Sequence, residues 1–197
     1  MSLKNKAVLI SIRPEWCDLI VRGKKTIEVR KTRPKLETPF KVYIYCTLPR
    51  YPHEDFIETD YPKPQFYGGG KVIGEFVCDW IYQYSSADHL YGVDISHEDM
   101  ARQSCLTRKQ IEAYELKNVP EEGYGYFGVF GWHISGLKVY DKPRELSRFV
   151  KPYDAKACPK PTVIECGDCT KCYLKRAPQS WCYVEERRKD DNRNDSV

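Results

Sequence analysis

Three residues with charged side chains stand close together near the start of the chain, at Lys25, Glu28 and Arg30, and Arg13 precedes them. Glu28 and Arg30 are two positions apart, so on a strand their side chains leave the same face. A carboxylate accepts hydrogen bonds, whereas lysine and arginine donate them. The spacing therefore predicts a recognition site that offers donors and an acceptor to an anionic or amide-bearing partner.

A short helix, a turn and a strand must position these side chains. Pro14 suits the first turn of a helix, and Gly23 suits the left-handed residue that ends one. From Thr26 onward apolar and polar residues alternate, which predicts a half-buried strand with one apolar face. We expect a helix over residues 14–22 and a polar strand face that borders a concave site.

The same segment resembles a known family. Gly23, Lys25, Glu28 and Arg30 match the G-x-K-x-x-E-x-R signature of the ASCH domain family, a branch of the PUA-like superfamily. Four further segments are similar to that family, and in particular to its phage- or prophage-encoded members. They are residues 11–16, 71–76, 132–134 and 140–143. The resemblance implies an α+β fold, namely a small mixed PUA-like β-barrel with flanking short helices over residues 1–150.

The resemblance also implies a cleft that binds single-stranded RNA or a modified nucleoside. The binding candidates combine the residues of the motif and its lead-in with aromatic side chains that could stack on a base and one imidazole. They are Ser11, Arg13, Trp16, Gly23, Lys25, Glu28, Arg30, Tyr126, Trp132 and His133. Stacking on an aromatic ring stabilises a bound base by about 1–3 kcal/mol. Each of these rings can instead be a core residue.

An enzymatic alternative stays open. Similar small ASCH proteins hydrolyse the acyl amide of acylated cytidine with the motif lysine, a threonine and a downstream glutamate. Here Glu28 stands at the threonine position, so Lys25 would have to act with Glu28 or with Thr26. A third alternative is a prophage protein-interaction module that contacts a host protein.

Five of the nine cysteines cluster late in the chain. They are Cys158, Cys166, Cys169, Cys172 and Cys182. Four thiolates at such spacing can hold a tetrahedral Zn²⁺, so four of these five are predicted to bind a structural zinc in a Cys-rich annex over residues 151–184. Iron–sulfur ligation, disulfides and reduced thiols are the alternatives, and no other cofactor is expected. The remaining cysteines are expected to lie in core elements; these are Cys17, Cys46, Cys78 and Cys105.

Composition sets broader limits. The chain has 197 residues with 41% hydrophobic and 13% aromatic content, enough for a globular core. A net charge of +4 permits an anionic partner but is too small for a non-specific nucleic-acid coat. Since the chain contains no long apolar run, we expect a cytoplasmic protein without a membrane segment. Residues 185–197 are predicted to form a disordered charged tail, and the oligomeric state is left open.

Further elements follow from local patterns. Residues 40–48 predict a strand buried on both faces, and residues 72–84 predict one long strand with a bulge at Gly74. Between them, residues 49–70 predict a long loop that ends in a glycine turn.

A second helix is predicted over residues 107–116. Thr107 and Gln110 have the spacing of a capping box, in which each side chain bonds the other residue's backbone N–H. Ile111 and Tyr114 give this helix an apolar face.

Overall fold

The computed structural model describes residues 7–48, 69–85, 94–116, 128–152 and 173–186. The strands in these ranges are β1 (Ala7–Ile12), β2 (Ile27–Arg30), β3 (Phe40–Cys46), β4 (Lys71–Cys78), β5 (Ile81–Tyr84), β6 (Val129–His133), β7 (Ser135–Arg144), β8 (Phe149–Val150) and β9 (Trp181–Glu186). The α-helices are α1 (Pro14–Val21), α2 (His97–Ser104) and α3 (Arg108–Leu116). None of these three helices is long and apolar enough to span a membrane.

Two sheets organise the fold. The larger has six strands in the order β7-β4-β3-β1-β9-β8 and curls into a half-barrel, and the smaller has three in the order β2-β6-β5. β1 and β3 run parallel, whereas the other paired strands are antiparallel. The predicted α+β class is therefore confirmed.

β1 is the central strand of the larger sheet and is buried along its whole length. Val8 and Ile10 face one hydrophobic cluster, which extends between the sheets, while Ala7 and Leu9 face a second cluster on the other side. A strand covered on both faces needs an unbroken apolar run, which the sequence AVLISI nearly supplies. β1 therefore forms the centre of the core on both faces of the larger sheet.

The last described segment of the chain returns to β1. β9 pairs antiparallel with β1, and Trp181 is the register partner of Ile10. β9 extends to Glu186, past residue 185 where the tail was predicted to begin. Residues 153–172, which make up most of the predicted annex, and residues 187–197 of the predicted tail lie outside the described residues.

The strand predicted over residues 72–84 is wrong in one respect. It is divided at Asp79 and Trp80 into β4 and β5, which belong to different sheets. β-branched and aromatic residues are frequent on both sides of this corner, so the composition alone does not reveal it. Residues 40–48 are also less buried than predicted, because Lys41 is exposed. Of the predicted loop, residues 49–68 lie outside the described residues, and Gly70 forms a turn with φ of +81°.

Both helices after β5 cover the smaller sheet. In α3 the predicted capping box is confirmed, since Thr107 N donates to Gln110 Oε1 at 2.8 Å and Gln110 N donates to Thr107 Oγ1 at 3.3 Å. Ile111 is fully buried in a third hydrophobic cluster under this helix. α2 was not predicted, although Ser96 caps it by accepting from Asp99 N at 3.1 Å. That Ser-x-x-Asp spacing is a helix-start signal.

Gly74 lies where the β4–β7 register shifts, as predicted for a bulge. A Cβ at this position would lie 2.6 Å from Lys138 O and 3.3 Å from Val139 Cα. Both are backbone atoms of the neighbouring strand, so they cannot move aside cheaply. The close approach of β7 to β4 therefore requires glycine.

We expect Gly74→Ala to lower the free energy of unfolding by about 1–3 kcal/mol, because β7 must shift to admit the methyl group. Urea denaturation measures this. Gly69→Ala is the matched control, since its Cβ would lie 3.2 Å from the exposed Leu48 side chain and no nearer than 4.0 Å to the backbone atom Thr47 O. Equal losses in the two variants would contradict the assigned cause.

Glu75 anchors a polar cluster that connects β3, β4 and β7. Its Oε2 accepts from Tyr140 OH at 2.5 Å, and its Oε1 accepts from Lys41 Nζ at 3.1 Å. The Arg144 guanidinium lies 3.7 Å from the Tyr140 ring centroid. Burial raises the pKa of Glu75, but the hydrogen bonds from Tyr140 and Lys41 and the charges of Lys41 and Arg144 outweigh it. The pKa of Glu75 is therefore below its ordinary value.

A carboxyl whose pKa is lowered by folding stabilises the protein above its unfolded-state pKa, and this contribution is lost as pH falls through the lower folded-state value. We therefore expect Glu75→Gln to cost about 1–2 kcal/mol at pH 7 and progressively less below pH 4.5, the ordinary value. Urea denaturation from pH 7 to pH 3 provides the profile. Glu145→Gln, which removes an exposed partner of Lys71, should show little effect at any pH. A loss in Glu75→Gln that does not change with pH would contradict this account.

Candidate functional site

The predicted helix–turn–strand unit forms as expected. α1 begins at Pro14, directly after β1, and ends within one residue of the predicted boundary. Gly23 then adopts a left-handed φ of +68°, and its N–H donates to Ile20 O at 2.9 Å. The turn reverses the chain into β2 and sets the charged residues of β2 beside the end of β1.

The motif side chains form a buried ionic network, here called the motif network and made of Lys25, Glu28 and Arg30. Lys25 Nζ lies 3.4 Å from Glu28 Oε2, and Arg30 Nη2 lies 3.1 Å from Glu28 Oε1. The lysine also donates to Ser104 O at 2.7 Å, and the arginine donates to Ser11 O at 2.6 Å. One carboxylate thus bridges two cations, and each cation is held by a backbone carbonyl from another element.

This polar strand face is more enclosed than the half-buried strand predicted from the sequence. The side chains of Lys25, Glu28 and Arg30 are only 2%, 7% and 14% exposed. The end of β1 supplies Ser11 on one side and the end of α2 supplies Ser104 on the other. Alternation correctly assigned the charged residues to one face, but it cannot show that other elements cover that face.

The motif network holds two cations and one carboxylate. Burying charge without compensation costs several kcal/mol, so an excess positive charge at this depth favours an additional acceptor. Arg30 Nε is a buried N–H for which the described residues provide no acceptor. Trp132 Nε1 is a second such donor, and Trp132 is the register partner of Glu28 in the β2–β6 pair. The site therefore has hydrogen-bond donors in excess.

α1 borders the motif network with an aromatic ring and an exposed cation. Lys25 Nζ lies 5.4 Å from the centroid of the partly buried Trp16 ring, within the range of a cation–π contact. Arg13 is 75% exposed and lies 3.7 Å from Glu15. Trp16 and Arg13 therefore lie at the same end of β1 as the motif network.

The structure places Trp132 in the core instead of at an open surface. Its side chain is fully buried, with ring centroids of Phe40 and Trp181 at 6.0 Å and 5.8 Å. β6 is the middle strand of the smaller sheet, so both of its edges are paired with neighbouring strands. Trp132 offers no open ring face to a base, and Tyr126 lies outside the described residues.

His133 lies apart from the motif network. Its register partner is Ile27, whereas Glu28 pairs with Trp132, so His133 is on the opposite face of the smaller sheet. His133 Nδ1 lies 2.6 Å from Asp79 Oδ1. Slight burial raises the pKa of Asp79, but this hydrogen bond and the neighbouring imidazole bring it below its ordinary value. His133 and Asp79 thus form a separate surface pair.

The hydroxyl predicted as an alternative nucleophile is directed elsewhere. Thr26 Oγ1 donates to Gln103 Oε1 at 3.4 Å, and Thr26 N donates to Gln103 O at 2.9 Å. Lys25 Nζ instead bonds Ser104 O and Glu28. This arrangement does not place the Thr26 hydroxyl beside the lysine that would have to activate it.

Of the five predicted zinc ligands, Cys182 is the one within the described residues. It lies half-buried in β9, and burial raises the pKa of its thiol. The other candidates lie outside the described residues, so the zinc site stays a prediction. Cys17, Cys46 and Cys78 are buried as predicted, whereas Cys105 is half-buried and ends α2 with φ of +56°.

The sequence did not reveal the carbonyl of Ser104, which holds Lys25 across 79 positions of the chain. The Ser-x-x-Asp cap of α2 could have located that helix, but not the contact of its last turn with Lys25. Ser11 was predicted as a binding residue and contributes its backbone carbonyl. Its hydroxyl instead donates to Pro178 O at 2.6 Å.

We expect Glu28→Gln to lower the free energy of unfolding by about 3–5 kcal/mol, because it leaves two buried cations without a carboxylate. Urea or thermal denaturation measures the loss. Glu112→Gln removes the same charge from an exposed pair with Arg108 and should cost about 0.5 kcal/mol or less. Similar losses of unfolding free energy in both variants would contradict the conclusion that the buried carboxylate of Glu28 stabilises the fold more than an exposed one.

Comparison with known proteins supports the assignment that the motif suggested. The model of the ASCH domain matches residues 10–119, more than half of the chain. A crystal structure of a point mutant of ZmASCH from Zymomonas mobilis superposes with a TM-score of 0.52 at 18% sequence identity, and the match covers 94% of this chain and 92% of that one. The structure of ASCH from the same organism gives a TM-score of 0.47 at 19% identity, with 94% and 90% of the two chains covered. The comparison with curated proteins gave no match. The geometry and the family match lead to one conclusion: the chain belongs to the ASCH domain family.

Proposed function

We propose that this chain binds RNA or a modified nucleoside at the motif network. The observation that carries the proposal is the excess of buried donors there: two cations share one carboxylate, and Arg30 Nε has no acceptor among the described residues. Phosphates and base carbonyls are acceptors that would compensate this excess.

The remaining groups suit the same class of ligand. Glu28 can accept a hydrogen bond from an exocyclic amino group, so the site can read a base edge as well as attract negative charge. Trp16 provides aromatic surface beside Lys25, and Arg13 provides an exposed cation. RNA and a modified nucleoside differ in whether a phosphate takes part, so the salt dependence of binding separates them.

The position of the site in the fold also supports the proposal. β1 and β3 run parallel and end together, and the register pairs Ile12 with Cys46. α1 begins just beyond this edge, so the motif network lies where strand ends and a helix start meet. Loops that follow such strand ends commonly form binding sites.

We expect Arg30→Gln to weaken binding of single-stranded RNA by about 10- to 100-fold and to lower the salt slope of the affinity by about one. The reason is that it removes the excess charge while leaving the Lys25–Glu28 pair intact. Fluorescence anisotropy with labelled RNA at several salt concentrations, and calorimetry with a panel of modified nucleosides, provide the measurement. Arg102→Gln is the control, because it removes an equal charge from the exposed pair with Asp99.

Equal losses in the two variants would show that net charge, and not the motif network, governs binding. Retained binding in Arg30→Gln would place the ligand elsewhere. Product analysis on the same samples tests the remaining alternative, since release of an acid from acylated cytidine would make the protein a hydrolase.

A further inference from the structure

β9 holds the segment that follows the motif strand. This segment, residues 31–37, is here called the basic loop; it begins where β2 ends and contains three cations and one carboxylate. Trp181 Nε1 donates to Thr32 Oγ1 at 3.0 Å, and Lys35 N donates to Tyr183 OH at 2.7 Å. Two side chains of one strand therefore hold the basic loop at two points.

The basic loop directs its apolar and its charged residues to opposite sides. Pro34 is buried, and Leu36 belongs to the hydrophobic cluster that extends between the sheets. Arg33 and Lys35 alternate with these two residues and are exposed. The loop is thus attached to the core on one side and presents two cations to solvent on the other.

The charges of Arg33 and Lys35 are available to a ligand. Within the part of the chain that the structure describes, neither side chain forms an ion pair, either with Glu37 of the same loop or with another carboxylate. The third cation of the loop is directed elsewhere, since Lys31 Nζ lies 5.4 Å from the centroid of the Tyr114 ring. Exposed lysine and arginine side chains of this kind attract phosphate groups.

The basic loop is continuous with the motif network. Arg30 Nη2 donates to Ser11 O, and Ser11 N donates to Ser180 O at 2.9 Å, one residue before Trp181. The start of β9 therefore fixes both the carbonyl that holds Arg30 and the loop that follows it. Arg33 comes three residues after Arg30, so their Cα atoms are at most about 11 Å apart.

We propose that the basic loop binds backbone phosphates of single-stranded RNA beside the nucleotide held at the motif network, and that β9 positions the loop for this contact. This inference rests on the proposed function and commits it to a strand of several nucleotides. A nucleoside carries no phosphate, so Arg33 and Lys35 would add nothing to its affinity. Phosphate contacts carry no base information, so the loop adds affinity while the motif network reads the base.

Trp181 is a positioning residue in this arrangement. Its indole N–H bonds Thr32, and its ring centroid lies 5.8 Å from that of the buried Trp132 and 5.4 Å from that of Tyr183. Trp132 is in turn the register partner of Glu28. The strand that holds the basic loop is therefore packed on the core next to the motif network.

The dependence of affinity on RNA length tests the proposal in the full chain. Fluorescence anisotropy with a labelled single-stranded RNA of eight nucleotides and mixed sequence gives the reference affinity, and unlabelled nucleosides and RNAs of two and four nucleotides serve as competitors. We expect the affinity of the wild-type protein to rise by about tenfold or more from nucleosides to four nucleotides.

The double variant Arg33→Gln/Lys35→Gln should lose this rise while its affinity for nucleosides stays within about twofold of wild type. The salt slope for the eight-nucleotide RNA should fall by about 1.4, because each phosphate contact with a single strand contributes about 0.7. Lys138→Gln/Lys142→Gln is the matched control. It removes the same two charges from exposed positions of β7, which three strands separate from β9, and it should change the affinity by less than about twofold.

Thr32→Val tests the positioning role. It removes the acceptor of the Trp181 N–H at an exposed position and nearly conserves the side-chain volume. We expect about three- to fivefold weaker binding of the eight-nucleotide RNA, unchanged binding of nucleosides, and no further loss when Thr32→Val is added to Trp181→Phe. A purely structural role would lower the free energy of unfolding without changing how affinity depends on RNA length.

The outcomes separate this inference from the proposed function. Nucleosides that bind as tightly as the eight-nucleotide RNA, or equal losses in the loop variant and the β7 variant, would overturn the role of the basic loop and leave the proposed function standing. Absence of binding to both nucleosides and RNA would overturn the proposed function, and this inference with it.

Discussion

A single buried carboxylate, that of Glu28, constrains the arrangement of the elements around it. Charges at this depth are tolerated only when they are paired and hydrogen-bonded. The two cations that approach Glu28 are in turn held by carbonyls of Ser11 and Ser104, at the ends of β1 and α2. Two ion pairs to one carboxylate, with the hydrogen bonds that hold their cations, therefore connect β1, β2 and α2, and the smaller sheet is joined to the larger one there.

The same network contains more hydrogen-bond donors than acceptors. A balanced pair would need no further partner, but the second cation leaves donors in excess. Such a surplus costs stability unless something compensates it, and natural proteins accept such costs mainly at functional sites. This surplus of donors is the basis on which we propose an acceptor-rich ligand for the motif network.

The sequence predicted those features whose physical signals are local. The capping box of α3, the left-handed Gly23 and the bulge at Gly74 each depend on neighbouring residues, and the structure has all three. The burial of Trp132 and the separate location of His133 depend on which strands become neighbours. Alternation gives a residue's face but not what covers that face, so tertiary contacts decided these two cases.

The corner at Asp79 shows the same limit for the fold. Residues with high strand propensity lie on each side of it, so the sequence has the composition of one long strand, whereas β4 and β5 belong to different sheets. Ser104 shows the same limit of sequence-based prediction for the site. Every residue has a backbone carbonyl, so the sequence does not show which carbonyl will bind Lys25. Only the path of α2 brings it to Lys25.

The motif network also depends on residues beyond the matched family segment. Ser11 holds Arg30 through its carbonyl, while its N–H donates to Ser180 O at 2.9 Å and its hydroxyl donates to Pro178 O at 2.6 Å. β9 then continues this contact by pairing with β1. The carbonyl that holds Arg30, whose Nε has no acceptor among the described residues, is thus fixed by the last described segment of the chain. A ligand that compensates Arg30 would consequently stabilise the contact between the first and last strands as well as the motif itself.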